Sequence, residues 1–273
     1  MELIEILKVV VLGIVEGVTE WLPISSTGHM LLVDEFIHMN VSESFKDMFF
    51  VVIQLGAILA VVMLFWDKMW PFQTKDKSKP VIRKDVFSMW FKVVVACIPG
   101  AIVTLLFDDY IEAHLHTPTV IALALVVYGV AFIVIENWNI KRTPKVLALE
   151  DISYKTAFII GLFQVLSIIP GTSRSGSTII GALTIGVSRV AAAEFTFFLA
   201  VPVMIGLSFI KILKFGFSFT SVELMTLAIG CVVAFLVSVL VIKFLMSYIK
   251  KRDFKIFGWY RIVLGVILLL YFM

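Results

Sequence analysis

The sequence has little charge and almost no sulfur. Only 16% of its 273 residues are Asp, Glu, Lys or Arg, too few to cover a soluble domain of this length. Its two cysteines, Cys97 and Cys231, both lie in apolar runs. They read as small buried side chains, and nothing points to a disulfide framework or a zinc site. No A-x-A cleavage site follows the first apolar run, which Glu16 interrupts, so no removable signal peptide is expected. Low-complexity tails and coiled-coil repeats are missing. The Gly-Lys-Ser/Thr of a Walker loop is absent too, which excludes that mode of nucleotide binding. What fills the chain instead is hydrocarbon. It is 60% hydrophobic with mean hydropathy +1.04, the composition of a polytopic membrane protein. No nucleic-acid partner is expected.

Six apolar runs, 48–66, 88–107, 118–135, 195–210, 222–242 and 256–273, approach the length that crosses a bilayer, about 20 residues for a helix. Two other apolar segments, 1–37 and 157–187, are interrupted by polar islands. The first island is Glu16-Gly-Val-Thr-Glu-Trp-Leu-Pro-Ile-Ser-Ser-Thr-Gly-His29, and the second is Pro170-Gly-Thr-Ser-Arg-Ser-Gly-Ser-Thr178. The order is one broken segment and three spans, written twice, with halves 1–142 and 143–273. Gly13-x-x-Glu16 matches Gly161-x-x-Gln164, and Pro23-Ile-Ser-Ser matches Pro170-Gly-Thr-Ser with one residue of slippage.

Basic residues orient the chain. Loop 67–92 carries Lys68, Lys75, Lys77, Lys79, Arg83, Lys84 and Lys92; loops 136–156 and 243–255 are also rich in Lys and Arg. These three read as cytoplasmic. Loop 38–47 has only Lys46, and loop 108–117 has no Lys or Arg, so both read as external. Counting crossings from these loops leaves 157–187 entering and leaving on the inner face. By symmetry, 1–37 enters and leaves on the outer face. The expected fold is therefore an all-α polytopic membrane protein. It has six transmembrane helices plus two re-entrant helical hairpins in an inverted-topology repeat, with both islands near the midplane.

An ionisable group at membrane depth is costly and marks function by default. Glu16 and Glu20, at i and i+4, share one helix face and can hold a hard cation such as Mg²⁺ or Ca²⁺. One of them could instead serve as a general base. Ser25, Ser26 and Thr27 follow Pro23 and can cap the next helix, whose N–H groups suit an anion. His29 lies three residues after Ser26, so the two are expected to meet as nucleophile and partner. Arg174 needs an anion, and its guanidinium suits phosphate; an ion pair with Glu16 or Glu20 is the structural alternative. Ser173, Ser175, Ser177 and Thr178 add hydroxyls around it, with Gly171 and Gly176 allowing close approach. Arg189 and Glu194 are expected to cap helices and pair locally. Trp21, Trp66, Trp70, Trp138 and Trp259 are expected at span ends as interfacial anchors. Gln164 is expected to hydrogen-bond between helices.

These motifs resemble the undecaprenyl-diphosphate phosphatases of the BacA/UppP type. The resemblance extends to Ile53-Gln-Leu-Gly56 and Gly186-Val-Ser-Arg-x-x-Ala-x-Glu-Phe195, and it covers the whole chain. It implies a bacterial inner-membrane hydrolase, with its active site open to the outer face. Such an enzyme recycles the lipid carrier of peptidoglycan synthesis, and its overproduction brings bacitracin resistance. The family's acidic motif falls on Glu16 and Glu20, its serine and histidine on Ser26 and His29, and its arginine on Arg174. Dependence on a divalent metal ion is also implied. Lipid phosphatases of the phosphatidic-acid-phosphatase type share similar Ser-rich pieces but need a second histidine after the Ser-Arg motif. Here all four histidines precede residue 117, which excludes that mechanism. The rival class is a transporter of the prenyl phosphate, since inverted repeats with midplane polar sites are also a transporter architecture. The partners expected are the prenyl diphosphate and membrane lipid. A homodimer is the self-association to test.

Overall fold

The computed structural model describes residues 2–73 and 80–272; the side chains of residues 108–110, 112 and 113 fall outside that description, as do Lys75, Lys77 and Lys79 of the basic loop. Among the described residues the chain is helical, apart from short 3₁₀ turns and two isolated bridges, Phe72 with Ile82 and Val146 with Val187. In chain order the helices are α1 (Leu3–Thr19), α2 (Ser26–Phe36), α3 (Glu43–Val52), α4 (Gln54–Leu64), α5 (Trp66–Met69) and α6 (Lys84–Leu115). They continue with α7 (Pro118–Asn139), α8 (Tyr154–Val165), α9 (Arg174–Thr184), α10 (Arg189–Phe215), α11 (Ser221–Ile249) and α12 (Lys255–Phe272).

Six stretches are long and apolar enough to cross a membrane: Glu43–Leu64, Lys84–Phe107, Pro118–Asn139, Arg189–Phe215, Ser221–Ile249 and Lys255–Phe272. They coincide with the six runs expected from hydropathy. The first is α3 and α4 joined through Ile53, whose backbone stays near helical (φ −63°, ψ −19°). Large apolar side chains such as Leu105, Phe209 and Leu270 point outward. In water such faces would aggregate, but against lipid they match their solvent. This is a multi-pass membrane protein.

Helices that share an apolar solvent must gain from close packing, so glycines line the contacts. α7 lies on α12, α1 on α11, and α8 on α6. At the α7–α12 crossing Gly129 and Gly258 are reciprocal, since a Cβ added to either would stand 2.7 Å from the other's carbonyl oxygen. Any larger residue at either position would push the two helices apart. Gly161 meets the backbone of Ala96 in the same way.

Of the shorter helices that remain, α1 packs on α2 and α8 on α9, while α5 is a single turn after α4. Near the start of α1, Lys8 Nζ donates to the His38 carbonyl (2.7 Å) and Glu5 accepts from the Asn40 amide (3.2 Å). The end of α2 is thus brought beside the start of α1. At the opposite end, Asn139 Nδ2 donates to the Leu183 carbonyl (3.1 Å), Lys145 N to Gly186 O (2.8 Å), and Lys92 Nζ to Glu150 O (3.4 Å). These bonds bring the start of α8 and the end of α9 to the basic loops.

Arg189 and Glu194 do not act as local caps, since Ser188 caps α10 and their partners are distant in sequence. Arg189 grips Glu136 through Nε (2.9 Å) and Nη2 (2.5 Å), while Glu136 also accepts from the Phe254 amide (3.0 Å). Lys68 Nζ bonds both Glu194 oxygens at 2.8 Å. Their positions near the start of α10 made them look like local caps, but the fold brings α5, α7, α10 and the residue before α12 to one end, where they tie spans together. A second correction concerns Trp21. It is wholly buried, edge-on to Phe197 at 5.2 Å, whereas Trp66, Trp70, Trp138 and Trp259 are exposed. Trp21 follows the α1 cap directly, and the turn carries it into the core.

Candidate active site

Each short pair turns on a serine in a backbone conformation that side chains rarely adopt. Ser25 has φ 74° and Ser173 has φ 71°; they are the two non-glycine residues with positive φ among the described residues. Each serine is the N-cap of the helix that follows. Ser25 Oγ accepts from the Gly28 amide (3.4 Å) and Ser173 Oγ from the Gly176 amide (3.2 Å). A positive φ at a non-glycine residue carries strain, and such strain collects at functional sites. The two caps place Ser26 and Arg174 at the first position of α2 and α9.

These two residues converge on Glu20, which caps the C-terminus of α1. Ser26 Oγ donates to Glu20 Oε2 (2.9 Å), and Arg174 Nη2 donates to Glu20 Oε1 (3.1 Å). Arg174 is oriented from its other side by the Thr196 carbonyl, which accepts from Nη1 at 3.0 Å. The ion pair is largely enclosed by the protein, its side chains 7% and 10% exposed. Glu16 sits one turn earlier on α1, against the Glu20 carboxylate and within electrostatic reach of Arg174. It is buried, and its Oε1 has no hydrogen-bond partner, as does Arg174 Nε. Buried polar atoms are nearly always paired, so such exceptions mark groups built for something else.

The other expected residues divide by role. Ser175 is buried and its Oγ donates weakly to the Glu20 carbonyl (3.4 Å), besides meeting Ser173 Oγ at 3.0 Å. Thr178 Oγ1 turns inward to the Arg174 carbonyl (2.9 Å) and Thr196 Oγ1 (2.9 Å), bracing α9 against α10. Thr27 is exposed on α2. His29 does not make the expected pair with Ser26. Its Nδ1 bonds the Ser25 carbonyl and its Nε2 the Tyr260 hydroxyl, both at 2.7 Å, and its ring stacks on Tyr260. At i+3 on α2 the imidazole folds back over its own turn and toward α12, so Glu20 takes the place beside Ser26. Gln164, expected to bridge helices, is buried with Oε1 unpaired.

Sequence reasoning missed Arg261, which is wholly buried in α12. Its Nη2 donates to the carbonyls of Gly171 (2.8 Å) and Thr172 (2.9 Å), and its Nη1 to that of Pro23 (3.3 Å). The signal was present as one arginine inside an otherwise apolar span.

The donor set fits a hard divalent cation in kind. Two carboxylates and a hydroxyl are oxygen ligands, and Glu16 Oε1 is unpaired. Among the described residues no cluster of three or more His, Cys, Asp or Glu forms a complete cage. A cation such as Mg²⁺ commonly completes its shell with water and substrate oxygens.

Comparison with known proteins agrees with these motifs across the full chain. An Enterococcus faecalis protein named undecaprenyl-diphosphatase is 74% identical over 99% of this chain and 98% of its own length. Proteins of the same name from Lachnoclostridium phytofermentans and Desulfitobacterium hafniense are each 62% identical over the whole chain, covering 99% and 98% of their own lengths. The family model described as bacitracin resistance protein BacA matches residues 9–267, and the chain belongs to the BacA family.

Proposed function

We propose that this chain is an integral-membrane phosphatase that hydrolyses undecaprenyl diphosphate to undecaprenyl phosphate and inorganic phosphate. Such an enzyme recycles the lipid carrier of cell-wall synthesis and confers bacitracin resistance. The observation that carries the reading is the convergence of Ser26 and Arg174, from two distant turns, on the buried carboxylate of Glu20. The names of relatives at 62–74% identity agree with it.

In this reading Arg174 leaves part of its hold on Glu20 to bind the terminal phosphate, using its unpaired Nε as well. The amides at the starts of α2 and α9 face the same charge. Ser26 Oγ, or a water held in its place, attacks the terminal phosphorus as Glu20 accepts the proton. The bond from that phosphorus to the bridging oxygen breaks, and the electrons leave with undecaprenyl phosphate. If Ser26 is the nucleophile, water then cleaves the phosphoserine and releases phosphate. Phosphoryl transfer needs mainly positioning and charge stabilisation, which these groups supply. His29, held between the Ser25 carbonyl and the Tyr260 hydroxyl, fixes the turn before Ser26 and offers a path for the proton. A divalent ion, Mg²⁺ or Ca²⁺, held by Glu16 and Glu20 would neutralise charge on the diphosphate oxygens. Ser25, Thr27, Ser173, Ser175 and Thr178 complete the proposed phosphate-binding set, with Thr178 acting through α9.

We also read α1–α2 and α8–α9 as re-entrant hairpins of two inverted halves, 1–142 and 143–273. Several correspondences support this. Gly13 and Gly161, Glu16 and Gln164, the strained caps Ser25 and Ser173, and Gly28 and Gly176 all match at one sequence offset. The packing of α1 on α11 and α8 on α6 pairs the first arm of each hairpin with the middle span of the other half. The proposed setting is the bacterial inner membrane, with the site opening to the outer face. A homodimer is tested by cross-linking in native membranes. Transport by the same anion site is the less favoured reading, because a carrier needs a clamp but not a hydroxyl held on a carboxylate. Phosphate release from the C55 diphosphate by purified protein tests the assignment. Lipid flux without hydrolysis in vesicles would overturn it, and labelling of a cysteine at position 2 from the cytoplasm would overturn the topology.

A further inference from the structure

We infer that Arg261 is a positioning residue that clamps the two hairpin turns together and so holds Ser26 and Arg174 on one carboxylate. The inference rests on the phosphatase reading for its kinetic consequence and on geometry alone for the clamp. Arg261 is fully buried in the middle of a span-length helix. Among the described residues no carboxylate forms an ion pair with it; its guanidinium donates instead to three backbone carbonyls. A buried cation neutralised only by peptide dipoles is expensive. A fold seeking stability alone would be better served by an apolar side chain of the same volume. What the guanidinium gains is reach. Pro23 lies two residues before the strained cap Ser25, while Gly171 and Thr172 immediately precede the strained cap Ser173. One rigid, planar fork therefore joins both turns at their apices, in addition to the direct bonds that Arg174 and Ser175 make to Glu20.

The surroundings leave the clamp little slack. Gly171 has φ 90°, and a Cβ there would stand 2.8 Å from Ile121 Cα. A Cβ on Gly176, in the first turn of α9, would meet Arg261 Nη1 at 3.2 Å. The guanidinium thus packs against the same turn whose first residue is Arg174. It also lies over the Tyr128 ring (5.6 Å), and the neighbouring Tyr260 holds His29. α12 therefore orients both turns through adjacent residues without placing a side chain on Glu20. A lysine at this position could reach one turn's carbonyls but cannot span both with a planar fork.

The test compares wild type with Arg261→Lys and Arg261→Met, as purified full-length protein in detergent. Hydrogen–deuterium exchange is read on peptides covering 21–28 and 169–176, and phosphate release from the C55 diphosphate is read alongside. The clamp predicts that both turns exchange faster in Arg261→Lys while α4, α10 and α11 keep wild-type protection. It further predicts that kcat falls by about 10²-fold with KM within a few-fold, the order expected for a misplacement near 1 Å. In a Ser26→Ala background the same Arg261→Lys change should cost far less, because residues acting as a unit are not additive. Unchanged exchange at either turn overturns the clamp, as does an equal cost in both backgrounds. Arg261→Lys carries the decision if Arg261→Met does not fold. Loosened turns in a protein whose wild type releases no phosphate would keep the clamp and sink the phosphatase reading.

Discussion

Replacing Glu20 by glutamine changes one oxygen to an amide and leaves the shape intact, which makes it the sharpest test of the site. The carboxylate accepts from Ser26 on one oxygen and from Arg174 on the other. An amide can accept on its carbonyl only, so its NH₂ must face one of the two donors. Either the Ser26 hydroxyl loses its acceptor or Arg174 loses its counter-charge. Breaking a buried pair from one side costs about 3–5 kcal/mol in general. Here Arg174 keeps the Thr196 carbonyl, and the amide keeps one acceptor, so a smaller loss than that, about 2–3 kcal/mol, is expected for stability. The catalytic loss should be larger. A neutral amide cannot take the proton from Ser26 or water, and general-base assistance contributes roughly 10²–10⁴-fold. Initial rates of phosphate release from the C55 diphosphate, normalised to folded protein by size-exclusion profile, should therefore fall by about that factor. Glu20→Asp keeps the charge but withdraws it by one methylene and should retain more activity than Glu20→Gln. A Glu20→Gln protein within about tenfold of the wild-type rate would refute the assignment of Glu20 as proton acceptor.

Three further outcomes follow from the same geometry. Arg174→Lys should lose at least about 10²-fold in kcat/KM, because an ammonium cannot hold Glu20, Thr196 O and a phosphate together in one plane; near wild-type turnover would show that the guanidinium is not the phosphate clamp. Chelation with EDTA should abolish phosphate release, and returning Mg²⁺ or Ca²⁺ should restore it, with Glu16→Gln weakening the apparent metal affinity; activity unchanged by chelation would remove the metal from the site. Glu136→Gln, at the basic end, should lower the thermal midpoint without changing kcat of the folded fraction. Its buried carboxylate holds Arg189 and the Phe254 amide, but Arg189 is 36% exposed and can rehydrate, so about 2 kcal/mol is expected rather than the full cost of a buried pair.

The apolar runs and the polar islands were legible because both follow from composition over short windows. A run such as 222–242 has no alternative to a span once its hydropathy is counted, and α11 covers it from Ser221 to Ile249. Glu16, Glu20, Ser26 and Arg174 were legible for the opposite reason, as polar atoms in hydrocarbon must be explained. Pairing was less accessible, because it depends on which way a turn throws a side chain. Spacing alone put His29 beside Ser26, yet the positive φ of Ser25 tips the first turn of α2 so that the imidazole bonds back to the Ser25 carbonyl and outward to Tyr260. Trp21 followed the rule for interfacial tryptophans by position but sits past the α1 cap, where the chain bends into the core. Arg261 differs from both cases. It lies alone in a run that satisfies every criterion for a span, so the local count absorbs it as one tolerated charge. Its partners are three carbonyls contributed by the two polar islands, and backbone carbonyls leave no trace in side-chain motifs. The rule that made Arg174 conspicuous applies with equal force to Arg261: a guanidinium at membrane depth must be explained, and where no anion answers it, the turns it holds are the explanation.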